Sequence, residues 1–198
     1  MPKPIPSIRT VFLDRDGVIN GDSADYIRSV DQFHFIPGSL SALVHLHRAG
    51  CRVIVVTNQS GVGRGIIRPQ DLTAIHRKMD GAVQAAGGRL ADILACPHRP
   101  DEDCPCRKPR PGMVHSAVHR HQVDLRQAVL VGDSARDIAC GQRAGCIETI
   151  LVRTGNGRAT EPTLAGTPAA PTHIAADLRA AVNWLADTGR IPAGKPHA

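Results

Sequence analysis

Two carboxylates separated by one residue stand at the end of an apolar run near the start of the chain. Asp14 and Asp16 follow the run 8–13 in the order Asp-Arg-Asp-Gly. One carboxylate of such a pair can attack phosphorus, while the other protonates the leaving oxygen and then activates water. Because an Asp-x-Asp pair is also common in turns and helix caps, the interpretation depends on residues elsewhere in the chain.

Polar residues also follow two later apolar runs. Thr57 and Asn58 come directly after the run 51–56, and Asp133 closely follows the run 128–131. The carboxyl ends of parallel strands meet at one edge of a sheet, so we expect these side chains to converge with the aspartate pair. Each feature alone is more often a turn or a helix cap, and their joint placement favours a site.

The converging groups predict a magnesium-dependent reaction on a phosphate. Two carboxylates repel a phosphate dianion unless a cation intervenes, and Asp14, Asp16 and Asp133 offer the oxygen ligands that Mg²⁺ prefers. Thr57 and Lys108 can stabilise the phosphoryl oxygens, through a hydroxyl with a backbone N–H and through a point charge.

A cluster of cysteines and one histidine precedes this lysine. Cys96, His98, Cys104 and Cys106 form two close pairs within the segment 96–106. Three thiolates and one imidazole complete a tetrahedral zinc shell with no open position, which is typical of a structural zinc. The alternative is a group of reduced surface cysteines without metal.

The apolar runs alternate with helical patterns, which predicts an α/β fold. We expect one Rossmann-like domain over residues 1–190, with a parallel sheet of five or six strands, helices on both faces, a minimal cap and a zinc-binding loop. The predicted strands are 8–13, 51–56, 90–95, 128–131 and 146–152. The predicted helices are 38–49, 69–86, 111–121, 134–144 and 175–186. Residues 156–171 should form a loop, and residues 191–198 a C-terminal tail.

The composition is that of a globular protein with a basic surface. The 198 residues are 42% hydrophobic and 21% charged, with a formal net charge of +6, which suits a small phosphorylated substrate. Aromatic residues make up only 3%, which counts against a single-strand nucleic-acid binder. No run approaches the roughly 20 apolar residues of a membrane span, and no signal-peptide pattern is present, so we expect a cytoplasmic protein. Its compact size, without an obvious exposed apolar face, favours a monomer.

The segments VFLDRDGVIN, VVTNQSG, CRKPRPGM and VGDSARD resemble the four ordered motifs of the haloacid dehalogenase-like phosphatases. The resemblance implies that Asp14 is a phosphorylated nucleophile and Asp16 the general acid and base, whose backbone carbonyl also contacts Mg²⁺. It also implies phosphoryl stabilisation by Thr57 and Lys108 and magnesium binding by Asp133. Asp137, the second acid of the last motif, would orient Lys108 or a metal-bound water.

Within this superfamily, the motifs are most similar to those of the heptose-bisphosphate phosphatase family. The resemblance implies removal of the 7-phosphate from D-glycero-D-manno-heptose 1,7-bisphosphate, on the route to lipopolysaccharide. It implies these substrate-binding residues: Arg15, Asp22, Ser23, Tyr26, Asn58, Gln59, Ser60, Arg64 and Arg107. Arg64 lies in a glycine-rich loop, and with Arg107 it could bind the distal phosphate.

Two alternative functions stay open at this point. A histidinol-phosphate phosphatase shares the catalytic residues, but it would need acidic groups for the substrate's ammonium, whereas TNQSGVGRG places a basic residue near the site. A polynucleotide 3′-phosphatase or a nucleic-acid-binding module suits the basic charge. The chain has neither a kinase P-loop nor a basic stripe to support that alternative.

Overall fold

Six strands form one parallel sheet in the computed structural model, which describes residues 5–192. The strands are β1 (Thr10–Leu13), β2 (Arg52–Asn58), β3 (Asp92–Cys96), β4 (Ala128–Gly132), β5 (Glu148–Val152) and β6 (His173–Ala175). Their order across the sheet is β3-β2-β1-β4-β5-β6. The order reverses direction at β1, so the predicted aspartate pair follows a central strand at the switch point where ligands bind in such sheets.

The strands are apolar on both faces because helices cover both faces. In β1, Val11 and Leu13 belong to one hydrophobic cluster, while Phe12 between them belongs to the other. The helices are α1 (Ser39–Arg48), α2 (Ser60–Gly63), α3 (Pro69–Ala85), α4 (Gly112–His121), α5 (Ala135–Ala144), α6 (Gly157–Leu164) and α7 (Leu178–Asp187). Residues of α1, α3 and α7 pack in the first cluster and residues of α4 and α5 in the second. This confirms the predicted α/β fold.

No helix in the described range 5–192 is both long enough and apolar enough to cross a membrane. The longest helix, α3, has 17 residues, begins at Pro69 and buries one side of its surface. Proline is favoured at this first helical position because its missing N–H would have no partner there.

The prediction of a loop over 156–171 is wrong, because this segment contains α6. Glycine, threonine and proline are poor helix formers, and Pro162 lies inside the helix. The side chain of Leu164 is buried against Ile138 and Leu151. Tertiary packing of this leucine therefore outweighs the weak helix propensity of the segment.

The last helix also begins later than predicted. Residues His173–Ala175 form the short strand β6, which pairs with β5. Helix α7 then begins after Asp177, whose side chain accepts a hydrogen bond from the backbone N–H of Ala180 at 2.8 Å. The predicted tail 191–198 lies mostly outside the described residues, but Ile191 is buried in the first cluster and packs as part of the core.

Candidate active site

A cavity of about 320 Å³ opens at the carboxyl end of the sheet. The residues that line it come from the end of β2, from the loops after β1, β2, β4 and β5, from the starts of α2 and α5, and from the segment before α4. Of the predicted site residues it is lined by Asp14, Asp16, Asp22, Ser23, Tyr26, Thr57, Asn58, Gln59, Ser60, Arg64, Arg107, Lys108, Asp133 and Asp137. Residues separated by more than a hundred positions are thus brought to one cavity, as the strand-end argument requires.

Lys108 lies between two carboxylates at the base of the cavity. Its Nζ is 2.9 Å from Oδ1 of Asp14 and 2.6 Å from Oδ1 of Asp137, and only 2% of its side chain is exposed. Burial lowers the pKa of this lysine, but the two carboxylates outweigh burial and raise it, so the ammonium stays charged. The buried cation offsets part of the negative charge around Asp14.

Asp137 connects this lysine to the start of α5. One carboxylate oxygen faces Lys108, and the other accepts hydrogen bonds from the backbone N–H of Ser134 at 3.0 Å and from its hydroxyl at 2.5 Å. These contacts form a capping box that fixes the first turn of the helix. The same carboxylate therefore positions the helix and the lysine.

Three carboxylates are crowded together in a way that favours a bound cation. Oxygen atoms of Asp14, Asp133 and Asp137 all lie within 4.8 Å of one another. Burial, opposed by Lys108 and aided by the neighbouring aspartates, raises the pKa of Asp14 to about 8. Burial likewise raises the pKa of Asp133 to about 6. A divalent cation would restore the ionised form of both groups, so the donor set fits Mg²⁺.

The Asp16 carboxylate accepts hydrogen bonds on both of its oxygens. The Arg15 guanidinium donates to Oδ1 from Nε at 3.1 Å and from Nη2 at 2.8 Å. Its Nη2 also donates to Oδ2 at 2.9 Å. Asn20 Nδ2 donates to Oδ1 at 2.9 Å and Gln59 Nε2 to Oδ2 at 2.8 Å. This network holds the carboxylate at the cavity wall, and Asn20 is a participant that the sequence analysis missed.

Arg15 was predicted to bind substrate, but the structure buries its side chain beneath the site. The guanidinium is engaged by Asp16 and contacts Nε2 of His76 through Nη1 at 3.2 Å, and the residue does not line the cavity. Burial, together with this arginine, lowers the pKa of His76 to about 4, which leaves the imidazole neutral and able to accept from the guanidinium. Arg15 therefore holds the Asp16 carboxylate from the buried side of the cavity wall.

Asn58 and Gln59 contact other site residues as well as lining the cavity. The Asn58 side chain donates to the carbonyl of Lys108 at 3.1 Å and accepts from its N–H at 3.0 Å. Gln59 Nε2 donates to Thr57 Oγ1 at 2.9 Å, in addition to its bond to Asp16. The last residue of β2 and the residue after it thus orient the lysine and the hydroxyl that are predicted to contact the phosphoryl group.

Asn156 is a second residue of the site that the sequence analysis missed. Its backbone N–H donates to Asp133 Oδ2 at 2.7 Å, and its side chain reaches Asp133 Oδ2 and Asp22 Oδ2, each at 3.1 Å. The sequence pattern places it in the predicted loop 156–171 and indicates no role for it. Its position just beyond β5, at the same edge as the other polar residues, was the available signal.

The predicted zinc ligands form a compact cluster beside the cavity. The Sγ atoms of Cys96, Cys104 and Cys106 lie 3.1 to 3.5 Å apart, and Nδ1 of His98 lies 3.3 Å from Cys106 and 3.6 Å from Cys96. A regular tetrahedron with Zn–S bonds of 2.3 Å has edges of about 3.8 Å. The four atoms therefore approximate a slightly contracted tetrahedron, and none of the cysteines is in a disulfide.

The order of acidic, hydroxyl and lysine groups along the sheet defines a phosphatase of the haloacid dehalogenase-like class. Residues 105–181 match the HAD-hydrolase-like family model. D-glycero-beta-D-manno-heptose-1,7-bisphosphate 7-phosphatase of Bordetella bronchiseptica is 46% identical over 77% of this chain and 85% of its own length. The enzyme of the same name from Pseudomonas putida is 42% identical over 77% and 87%.

A solved structure gives the same result. The D,D-heptose 1,7-bisphosphate phosphatase of B. bronchiseptica, complexed with magnesium and phosphate, superposes with a TM-score of 0.85 at 43% identity. The match covers 91% of this chain and 99% of that one. This chain is a phosphatase and belongs to the heptose-bisphosphate phosphatase family of the haloacid dehalogenase-like hydrolases.

Proposed function

We propose that this enzyme hydrolyses a phosphate monoester through a phosphorylated Asp14. The observation that carries the proposal is the placement of the Asp14 carboxylate on the cavity wall, 2.9 Å from the buried ammonium of Lys108. In the first step an Asp14 oxygen forms a bond to phosphorus and the bond from phosphorus to the leaving oxygen breaks. Lys108 and Thr57 stabilise the negative charge on the phosphoryl oxygens.

Asp16 acts as the proton carrier for both steps. In its acid form it donates a proton to the leaving oxygen, and as a carboxylate it then accepts a proton from the water that attacks phosphorus. The second attack breaks the bond to Asp14 and releases inorganic phosphate. Arg15 and Gln59 hold the carboxylate between turnovers, and proton donation requires that one of its oxygens leave these partners.

Asp14, Asp133 and the peptide carbonyl of Asp16 would bind Mg²⁺. Both oxygens of Asp137 are already engaged, by Lys108 and by Ser134, which favours a supporting role for that residue. When bound, the cation neutralises charge between the carboxylates and the incoming phosphate.

For the substrate we propose D-glycero-beta-D-manno-heptose 1,7-bisphosphate, which loses its 7-phosphate. The names of the relatives in Bordetella and Pseudomonas support this choice. The exposed Arg64 and the half-buried Arg107 also line the cavity and supply positive charge for a second phosphate. An ammonium-bearing substrate such as histidinol phosphate would face the same cations unfavourably.

We propose that the cysteine cluster binds a structural zinc. Cys96, His98, Cys104 and Cys106 leave no open ligand position for catalysis. Cys106 is followed directly by Arg107 and Lys108, so a metal here would hold the start of the segment that delivers both cations to the cavity.

Reduced thiols and a sugar-phosphate substrate agree with a cytoplasmic enzyme, which we expect to be monomeric in size-exclusion chromatography.

The substrate proposal is tested by phosphate release with Mg²⁺ from both anomers of heptose 1,7-bisphosphate, from histidinol phosphate and from an aryl phosphate. We expect kcat/KM for the beta anomer to exceed the others about a hundredfold, or about 2.7 kcal/mol of transition-state discrimination. Phosphorus NMR of the product should show the 1-phosphate retained. A higher kcat/KM for histidinol phosphate, or equal slow rates on all four, would contradict the proposed substrate.

A further inference from the structure

A second cavity, of about 350 Å³, lies beside the active-site cavity. Its lining includes four arginines, at positions 107, 110, 136 and 143. Arg107 and Arg136 line both cavities, as do Pro100 and Lys108. These residues form the wall shared by the two cavities, so an anion held there would lie next to a phosphate bound at Asp14.

Two of the four arginines are used within the protein. Arg110 is paired with the carboxylate and carbonyl of Asp103 and also donates to a neighbouring carbonyl. Arg143 lines only the second cavity, and its Nη1 lies 3.4 Å from the carbonyl of Pro109. Neither side chain belongs to the shared wall.

The two arginines of the shared wall retain free donors. Arg107 donates from Nη1 to the carbonyl of His98 at 3.2 Å, which leaves most of its guanidinium available. The Arg136 side chain forms no hydrogen bond or ion pair with the part of the chain that the structure describes. An arginine with five unused N–H donors on a cavity wall is suited to two-pronged binding of a phosphate.

The position of Arg136 on its helix is unfavourable unless an anion binds there. It is the second residue of α5, in the first turn, where the helix dipole disfavours a cation by about 0.3–1 kcal/mol. The next residue, Asp137, contacts Lys108 directly. Arg136 is therefore adjacent in sequence to the residue that positions Lys108, and it lines the same cavity. A bound phosphate would compensate both the helix dipole and the charge of the guanidinium.

We infer that Arg136, together with Arg107, forms a second anion subsite that binds the non-reacting phosphate of a bisphosphate substrate. The inference rests on the proposed function and adds a residue that determines specificity for bisphosphates over monophosphates. Arg136 is exposed, so replacing it should leave the fold intact. Its effect should be confined to substrates that carry the second phosphate.

The test compares kcat/KM for heptose 1,7-bisphosphate and heptose 7-phosphate, which lacks the distal phosphate. In Arg136→Gln we expect the ratio of the two values to fall at least tenfold, chiefly through a higher KM for the bisphosphate. Arg136→Lys should retain an intermediate ratio because it keeps the charge without the planar fork. Arg143→Gln is the matched control, with the same charge change on the same helix, and its ratio should equal that of the wild type.

The outcomes separate this inference from the function on which it rests. A wild-type enzyme that prefers the bisphosphate, with the same preference in Arg136→Gln, would overturn the inference alone. An equal loss of the preference for the bisphosphate in Arg143→Gln would also overturn it. The preference would then depend on the net positive charge of this surface and not on a contact made by Arg136. A wild type without any preference for the bisphosphate would overturn the proposed substrate and, with it, this subsite.

Discussion

The reactivity of Asp14 depends on charges that its own position in the sequence does not reveal. Burial raises its pKa to about 8 even though Lys108, 2.9 Å away, acts in the opposite direction. A cation bound beside Asp133 would add to the effect of the lysine. Near neutral pH the nucleophile therefore needs a bound cation in addition to the lysine to be ionised.

Replacement of Asp14 by asparagine should abolish turnover and leave the fold intact. Asparagine has nearly the same shape, but its amide is not a nucleophile toward phosphorus, so kcat should fall at least a thousandfold. The measurement is phosphate release together with thermal unfolding, with Asp25→Asn on the exposed surface as the matched control. Retained activity in Asp14→Asn would rule out the aspartyl-phosphate mechanism.

His76 should make the stability of the protein depend on pH. Its pKa is about 4 in the folded state, against 6.5 for the free side chain. Above pH 6.5 the imidazole is neutral in both states, and as the pH falls below that value the unfolded chain gains a proton that the folded chain does not. Stability is therefore lost, by about 2 kcal/mol between pH 7.5 and 5.

Urea denaturation at these two pH values, in the wild type and in His76→Gln, measures this contribution. Glutamine keeps an oxygen that can accept from Arg15 but does not titrate. The loss of stability between pH 7.5 and 5 should therefore be about 2 kcal/mol smaller in the variant. An equal loss in both proteins would show that His76 is not buried in its neutral form.

Single-residue roles were predictable from the sequence where chemistry restricts the residue type. Asp14 and Lys108 were identified as a nucleophile and a phosphoryl-binding cation, and they lie in contact. The burial of Arg15 was not predictable, because its orientation depends on Asp16 beside it and on His76 from a distant helix. Side chains that support a site are set by tertiary contacts, for which one sequence carries little signal.

At the scale of elements, the predicted zinc-binding loop, residues 96–106, connects metal binding to the position of Lys108. It joins β3 to the segment that carries Lys108, and the Asn58 side chain contacts the backbone of that lysine. The loop contains one short turn of helix, Pro100–Glu102, and no further regular structure before α4. A loop of this kind gains order from a bound metal.

Loss of zinc should therefore reduce both stability and activity. Cys104→Ser is expected to lose the metal, lower Tm by several degrees and reduce kcat even with saturating Mg²⁺. Metal content, thermal unfolding and phosphate release should be measured together. Cys146→Ser is the matched control, since this cysteine lies outside the cluster. A zinc-free variant with unchanged Tm and kcat would contradict a structural role.

Helix α6 should depend on the packing of one leucine. Leu164→Ala removes a side chain that is only 6% exposed, and we expect the free energy of unfolding to fall by about 2–4 kcal/mol. Ile147→Ala, at a position that is 46% exposed, should cost far less. Urea denaturation of both variants makes the comparison. A loss below 1 kcal/mol in Leu164→Ala would mean that α6 is held by other contacts.

At the scale of the whole molecule, the parallel sheet explains why scattered motifs form one site. β1, β2 and β4 are adjacent in the sheet, so the residues after their carboxyl ends meet although they are up to 119 positions apart in sequence, from Asp14 to Asp133. The unbroken apolar runs indicated these strands, and the order of polar residues after them indicated the cavity. The sequence could not reveal α6 or the second cavity, because both depend on packing between distant segments.

The central claim is that the phosphoryl group passes through Asp14. The most direct measurement is a rapid acid quench of a single turnover with heptose 1,7-bisphosphate and Mg²⁺, followed by mass spectrometry of the peptides. We predict one phosphoryl group on the peptide that contains Asp14, which forms before inorganic phosphate is released and then disappears. Release of phosphate in a full turnover without any phosphorylated Asp14, or with the group on another residue, would contradict the account.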